Sequence, residues 1–144
     1  MDTIAIGCDE AALKLKDTIK EYVLSLGYEV MDYGIYEPEP VLYPDVALKV
    51  AMAVVDHKHE RGILLCGTGI GMAITANKVP GIRAAVCHDA YSAEKARKSN
   101  DCQIMTLGSR IVGEELAKMM VKIWLASEFE GGGIDPKSGQ DHRN

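Results

Sequence analysis

The segment Gly62-Ile-Leu-Leu-Cys-Gly-Thr-Gly-Ile-Gly-Met-Ala-Ile-Thr-Ala-Asn77 restricts the fold more than any other stretch of the chain. An apolar run ends at Cys66, glycines follow at alternate positions, and small apolar residues then resume at helical spacing. The pattern is strand, tight loop, helix. Gly67, Gly69 and Gly71 let the backbone enter conformations closed to other residues or come close to a ligand. The loop amides then lie at the positive end of the following helix, where an anion is stabilised. An anion site with a thiol beside it results. No Gly-Lys-Ser/Thr follows, so this is not the lysine-bearing phosphate loop. The third glycine of the dinucleotide fingerprint is missing at its offset, so the segment is not read as a nucleotide site.

The rest of the chain repeats the alternation. Thr3–Cys8 is a short buried strand, and Asp9-Glu10 opens a helix whose Ala12, Leu15, Ile19, Tyr22, Val23 and Leu26 share a face. Tyr28–Tyr33 is a second strand. Residues 34–44 carry three prolines and are expected to be an irregular loop, followed by a helix over about 45–56. Further strands are predicted at 63–66, 82–87 and 103–107, with helices over 89–98 and 113–127. Such alternation implies an α/β fold, a parallel sheet with helices on both faces, whose ligands bind at the carboxyl ends of the strands. Asp9-Glu10, Tyr43, the glycine loop, His88-Asp89, Asn100-Asp101 and Ser109-Arg110 are all expected at that edge.

With 144 residues, 47% of them hydrophobic, the chain suits a single domain over 1–144, with 130–144 an extended Gly- and Pro-containing tail. A net charge of −5 without a basic block argues against nucleic acid or an anionic membrane as partner. No apolar run is long enough to span a bilayer, and a cytoplasmic location is expected. Cys8, Cys66, Cys87 and Cys102 form no Cys-x-x-Cys pair and read as reduced thiols. Taken alone, Cys8, Cys87 and Cys102 are structural. His57 and His59 read as solvated rather than metal-binding, and Arg97 with Lys98 as a solvated helix face.

Six motifs in order now carry a resemblance. Gly7-Cys8-Asp9, Tyr43-Pro44, Cys66–Gly71, Ala76–Arg83, Asn100-Asp101 and Gly108–Gly113, with Tyr91-Ser92, resemble the type B ribose-5-phosphate isomerases and the related galactose-6-phosphate isomerases. The resemblance runs to about Gly132. It implies a Rossmann-like three-layer sandwich with a five-stranded parallel sheet. It also implies a homodimer or homotetramer with shared active sites, a small sugar phosphate as substrate, no metal and no cofactor.

Aldose–ketose isomerisation needs a base for the proton next to a carbonyl and a means to stabilise an enediolate. Cys66 is placed to be that base, because a helix amino terminus favours its thiolate. Amides of Gly67, Gly69 and Gly71 are candidates for the enediolate oxygens, and Thr68 for moving the proton between them. By resemblance, Asp9 and Asn100 hold sugar hydroxyls or the intermediate, Tyr43 lines the pocket and Arg110 meets the phosphate.

The sequence departs from the family in three places. Glu10 stands where the family usually has a histidine that contacts phosphate or hydroxyl. Gly133 and Lys137 stand near two usual phosphate-binding arginines, leaving Lys137 as a point charge. Ser99 replaces the histidine that helps open a furanose ring. A four-carbon 4-phosphate cannot form that ring, so Ser99 suits erythrulose 4-phosphate; family members acting on it resemble this chain at His88–Ser92 and Ser99-Asn100. Alternatively His88 opens the ring, and the substrate is ribose 5-phosphate. A different reading is a weakly catalytic sugar-phosphate-binding subunit of a two-protein isomerase, against which the retention of Cys66 and Thr68 argues.

Overall fold

Five parallel strands in the order β2-β1-β3-β5-β4 form the centre of the computed structural model, which describes residues 3–38 and 42–131 together with the strand residues 134–135 and 140–141. They are β1 (Thr3–Cys8), β2 (Glu29–Asp32), β3 (Arg61–Cys66), β4 (Ala84–Val86) and β5 (Ile104–Gly108). The middle strands are fully covered because their residues are apolar on both faces. Ile4, Ile6, Ile63, Leu64, Leu65, Ile104, Met105 and Leu107 have essentially no exposed surface. Burying each such side chain stabilises the fold by about 1.5–3 kcal/mol before the entropy of ordering is counted.

Helices α1 (Leu13–Ser25), α4 (Ala90–Lys98) and α5 (Glu114–Ala126) share one layer, while α2 (Tyr43–Val55) and α3 (Ile70–Ala76) share the other. Ile19 and Val23 of α1, and Met120, Val121 and Trp124 of α5, face the sheet from the first layer. Val46, Val50 and Val54 of α2 do so at i, i+4 and i+8 from the second. Right-handed crossovers require this partition, since the chain steps outward through β1-α1-β2 and returns past β1 to β3. The direction reverses between β1 and β3. Their carboxyl ends are therefore the switch point, where the loops leaving two neighbouring strands part and leave a crevice.

Two expected boundaries shift. The loop after β2 stops earlier than expected, because Tyr43 and Pro44 already form the first turn of α2, where a proline's missing N–H costs nothing. The tail contains a minimal antiparallel pair, β6 (Ile134–Asp135) with β7 (Gln140–Asp141).

Two expected surface groups prove to be interior. His59 is 9% exposed, with Nε2 2.8 Å from the Tyr33 hydroxyl and Nδ1 3.1 Å from Thr3 Oγ1. Arg97 is 7% exposed and donates to the carbonyls of Cys102 and Ser127 and to Asp101. Both stand at turns whose carbonyl or hydroxyl groups need donors, a demand that helical periodicity does not register.

Candidate active site

The chain leaving β3 makes the turn its glycines require. Gly69 takes φ 79°, the left-handed region, and starts α3. This turn aims the Gly69 N–H at the Cys66 thiol, 3.1 Å away, while the Ile70 N–H reaches Thr68 Oγ1 at 3.2 Å. The loop rests on the end of β5. Ser109 N–H donates to Cys66 O at 2.8 Å, and Arg110 N–H to Gly67 O at 3.0 Å. Thr106, fully buried within β5, donates from Oγ1 to Gly69 O at 2.7 Å.

Around this loop lies an open cleft of about 420 Å³, lined by Asp9, Tyr43, Cys66, Gly67, Thr68, Gly71 and Arg110, with Ile70 and Ile74 on its apolar side. Each group has a placement that follows from the topology. Asp9 follows β1 and caps the short 3-10 turn Glu10–Ala12, accepting from Ala11 N–H at 3.0 Å. Burial pushes the Asp9 carboxyl above the usual range, while the Ala11 N–H and the Arg110 charge pull it down. Arg110 leaves β5 and lays its guanidinium over Gly67, where an added Cβ would sit 3.2 Å from Nη1. Among the described residues it makes no ion pair. Tyr43 reaches across from α2 and packs on Gly71, where an added Cβ would sit 2.6 Å from the ring.

Cys66 differs from its fellow cysteines in position. Cys8 and Cys87 are fully buried, and burial pushes their thiols up to about 11 and about 12. Cys66 is buried against the sheet, yet it lines the cleft and accepts an amide N–H. A thiol that faces solvent through one opening, beside a hydroxyl, a carboxyl and a guanidinium, is suited to exchanging a proton with a bound polyol.

Known proteins decide the family. The model of the Ribose/Galactose Isomerase family matches residues 4–139. The chain belongs to the ribose/galactose isomerase family. It is 59% identical over 139 residues to the D-erythrulose-4-phosphate isomerase of Pectobacterium atrosepticum, covering 95% of this chain and 91% of that relative. It is 55% identical to a ribose-5-P isomerase B of Listeria innocua, covering 90% and 87%. The solved ribose-5-phosphate isomerase B of Clostridium thermocellum superposes with a TM-score of 0.89 at 50% identity, covering 90% of this chain and 88% of that one. Membership makes the chain a sugar-phosphate isomerase of the ribose-5-phosphate isomerase B type. The shared fold is the expected three-layer α/β sandwich.

The expected site residues fall into four sets. Cys66, Thr68, Asp9, Tyr43, Gly67, Gly71 and Arg110 converge on the cleft, with Gly69 buried beneath it. Glu10 and His88 stand at the carboxyl edge but do not line it. The Glu10 side chain is exposed, and His88 Nε2 is buried without a hydrogen-bond partner among the described residues. Asn100 departs from the expected carboxyl edge. It lies between α4 and β5, in a segment that feeds a strand, and is therefore exposed at the amino edge, opposite Cys66. Lys137 lies outside the described residues. Ile70, Ile74 and Thr106 were not singled out beforehand, although Thr106 is the one polar residue of Ile104-Met-Thr-Leu107 and so carried a signal.

Proposed function

We propose that this isomerase interconverts erythrulose 4-phosphate and erythrose 4-phosphate through a cis-enediolate, with Cys66 as the base. The cleft geometry is the observation that supports it. A thiol held by Gly69 N–H stands beside the Thr68 hydroxyl, with the Arg110 cation, which makes no ion pair among the described residues, at one side. In the forward direction the Cys66 thiolate takes a proton from C1 of the ketose, and electrons flow to the C2 carbonyl to give the enediolate. Thr68 passes a proton from O1 to O2, and the Cys66 thiol returns its proton to C2. No net oxidation occurs, and the base is regenerated. Arg110 holds the phosphate, and loop amides offset charge on the enediolate oxygens.

A four-carbon substrate fits because it needs no ring opener, and Ser99 stands where the family's ring-opening histidine is expected. His88 does not line the part of the cleft that one chain's described residues form. The Pectobacterium relative carries the matching name at 59% identity. Ribose 5-phosphate is the second reading, favoured by the name of the Listeria relative.

Asn100 reaches a substrate only if a second copy supplies it. Exposed Tyr43, Ile70 and Ile74 on the open side of the cleft are suited to cover by that copy. We therefore read the enzyme as a homodimer with shared sites. Mixing Cys66→Ala and Asn100→Ala subunits then regenerates up to about a quarter of the activity, as random pairing leaves one intact site in half of the dimers.

Turnover of erythrulose 4-phosphate and ribose 5-phosphate side by side tests the substrate. The expected result is strong Cys66-dependent turnover of the tetrulose phosphate and weak turnover of the pentose phosphate. Efficient use of ribose 5-phosphate overturns the tetrose assignment. Inactivity on both points to a different sugar phosphate or to a subunit that needs a distinct partner.

A further inference from the structure

Every side chain lining the cleft is half-buried or exposed except Cys66, yet the glycine loop at its centre is pinned by a residue with no access to the cleft. Thr106 is fully buried in β5, and its hydroxyl donates to Gly69 O at 2.7 Å. A hydroxyl facing a carbonyl must donate, so the direction of this bond is fixed. The Gly69 carbonyl belongs to the same peptide unit as the Ile70 N–H, which donates to Thr68 Oγ1 at 3.2 Å. Gly69 O also accepts the first helical bond of α3, from Ala73 N–H at 3.1 Å. The peptide between Gly69 and Ile70 is thus held at its oxygen by two donors, and its N–H occupies one lone pair of the Thr68 hydroxyl.

We propose that Thr106 is a positioning residue for Thr68, acting through the Gly69–Ile70 peptide. The inference rests on the reading in which Thr68 moves the proton between the two substrate oxygens. Two effects follow from the chain Thr106 Oγ1–H to Gly69 O, then Ile70 N–H to Thr68 Oγ1. The first is geometric. With one lone pair taken by Ile70 N–H, Thr68 keeps its own proton and a second lone pair for the substrate. Rotation of the peptide would release that restraint. The second is electronic. A donor on the carbonyl polarises the amide and strengthens its N–H as a donor, and an oxygen receiving a stronger bond gives up its own proton more readily. The hydroxyl is in β5 because that strand runs directly beneath the loop. A Cβ on Gly69 would stand 3.0 Å from the Leu107 carbonyl carbon, and one on Gly108 would stand 2.8 Å from the Thr68 backbone.

The experiment uses full-length Thr106→Val, which keeps the branched shape and strand preference without the hydroxyl, and Thr106→Ser, which keeps the hydroxyl. Both are made with Thr68 present and in Thr68→Ala. A neutral hydrogen bond of ordinary strength corresponds to about a 2- to 10-fold change. Thr106→Val is expected to lower kcat by that factor with KM unchanged, Thr106→Ser to restore it, and Thr106→Val to have no further effect once Thr68 is alanine. The amide nitrogen shift of Ile70, read by NMR in every variant regardless of rate, moves in Thr106→Val and returns in Thr106→Ser. An equal loss in both Thr68 backgrounds, failure of serine to rescue, parallel movement of KM, or an unmoved Ile70 amide overturns the proposal. If Thr68→Ala alone turns over substrate like the wild type, the assigned role of Thr68 falls instead, and the Ile70 shift still reports whether the Thr106 bond exists.

Discussion

The two edges of the sheet are built from similar residues and do opposite things with them. At the amino edge, Arg61, Arg97 and His59 are buried, and their donors are taken by the chain itself. Arg61 bonds the carbonyls of Trp124 and Leu125 at 2.9 and 2.8 Å and stacks on the Trp124 ring, tying the end of α5 to β3. At the carboxyl edge, Arg110 is exposed beside Cys66 and makes no ion pair among the described residues. A cation whose hydrogen bonds close within the fold stabilises it. One left open at a switch point is available to an anion. The comparison predicts that substitutions at the two edges separate, stability responding at one and kinetics at the other.

The largest expected effect is at Cys66. Cys66→Ala should lower kcat by roughly a thousandfold or more, the scale at which a positioned base contributes, with the melting temperature barely changed. Cys102→Ala, just ahead of β5 at the amino edge and buried, should instead cost about 1–2 kcal/mol of stability, through the small cavity it leaves, with kcat intact. Both are checked by thermal melts and steady-state rates on the same preparations. Near-normal turnover by Cys66→Ala would remove the base assignment and the functional distinction between the edges with it.

A paired arginine test sharpens the comparison. Arg61→Met keeps length and apolar stem but strips two donors from the carbonyls at the end of α5, and is expected to destabilise by about 2–4 kcal/mol while leaving KM unchanged. Arg110→Met is expected to leave the denaturation midpoint unchanged and to lower kcat/KM by about 10- to 100-fold, the value of a charged hydrogen bond to an anion. Denaturant titration and initial rates separate them. If Arg110→Met melts early with normal kinetics, the carboxyl edge is also structural at that point.

How much of this division was legible from the chain differs from residue to residue. The strand order was not, but the alternation of elements and the glycine loop were enough to place Cys66, Thr68, Asp9 and Arg110 at one crevice, because each ends a strand or stands within two residues of its end. Asn100 belongs with a different set. It precedes β5, and residues that precede a strand lie at the opposite edge. His59 and Arg97 read as solvated because polarity in a sequence suggests exposure, whereas the groups they serve, Tyr33 OH, Thr3 Oγ1 and the Ser127 carbonyl, are brought to them by tertiary folding, and the Cys102 carbonyl by the turn after α4. Thr106 reads as part of an apolar strand for the converse reason, since one hydroxyl among Ile104-Met-Thr-Leu107 shows its partner only in the fold.

The smallest expected effect concerns His59, and it tests whether the amino edge is as closed as the hydrogen bonds imply. Thr3 Oγ1 donates to Lys58 O at 3.3 Å, so toward His59 it accepts, which places the imidazole proton on Nδ1 and leaves Nε2 to accept from the Tyr33 hydroxyl. Protonating Nε2 breaks that arrangement. Burial, and secondarily the charge of Lys58, holds the His59 pKa below its ordinary value. The folded state therefore binds fewer protons than the unfolded state, whose histidine titrates near ~6.5, and stability falls as the pH drops below that value. The loss cannot exceed about 1.4 kcal/mol per pH unit, the limit for one proton. Urea midpoints of wild type and His59→Gln are compared from about pH 7.5 to about pH 5, since glutamine can present an acceptor and a donor without titrating. The wild type should lose stability faster, and subtracting the two curves cancels the carboxylates common to both. Parallel curves would mean that His59 takes up its proton in place, with the Tyr33 oxygen turning to accept, and that this edge has a polar freedom its geometry does not require.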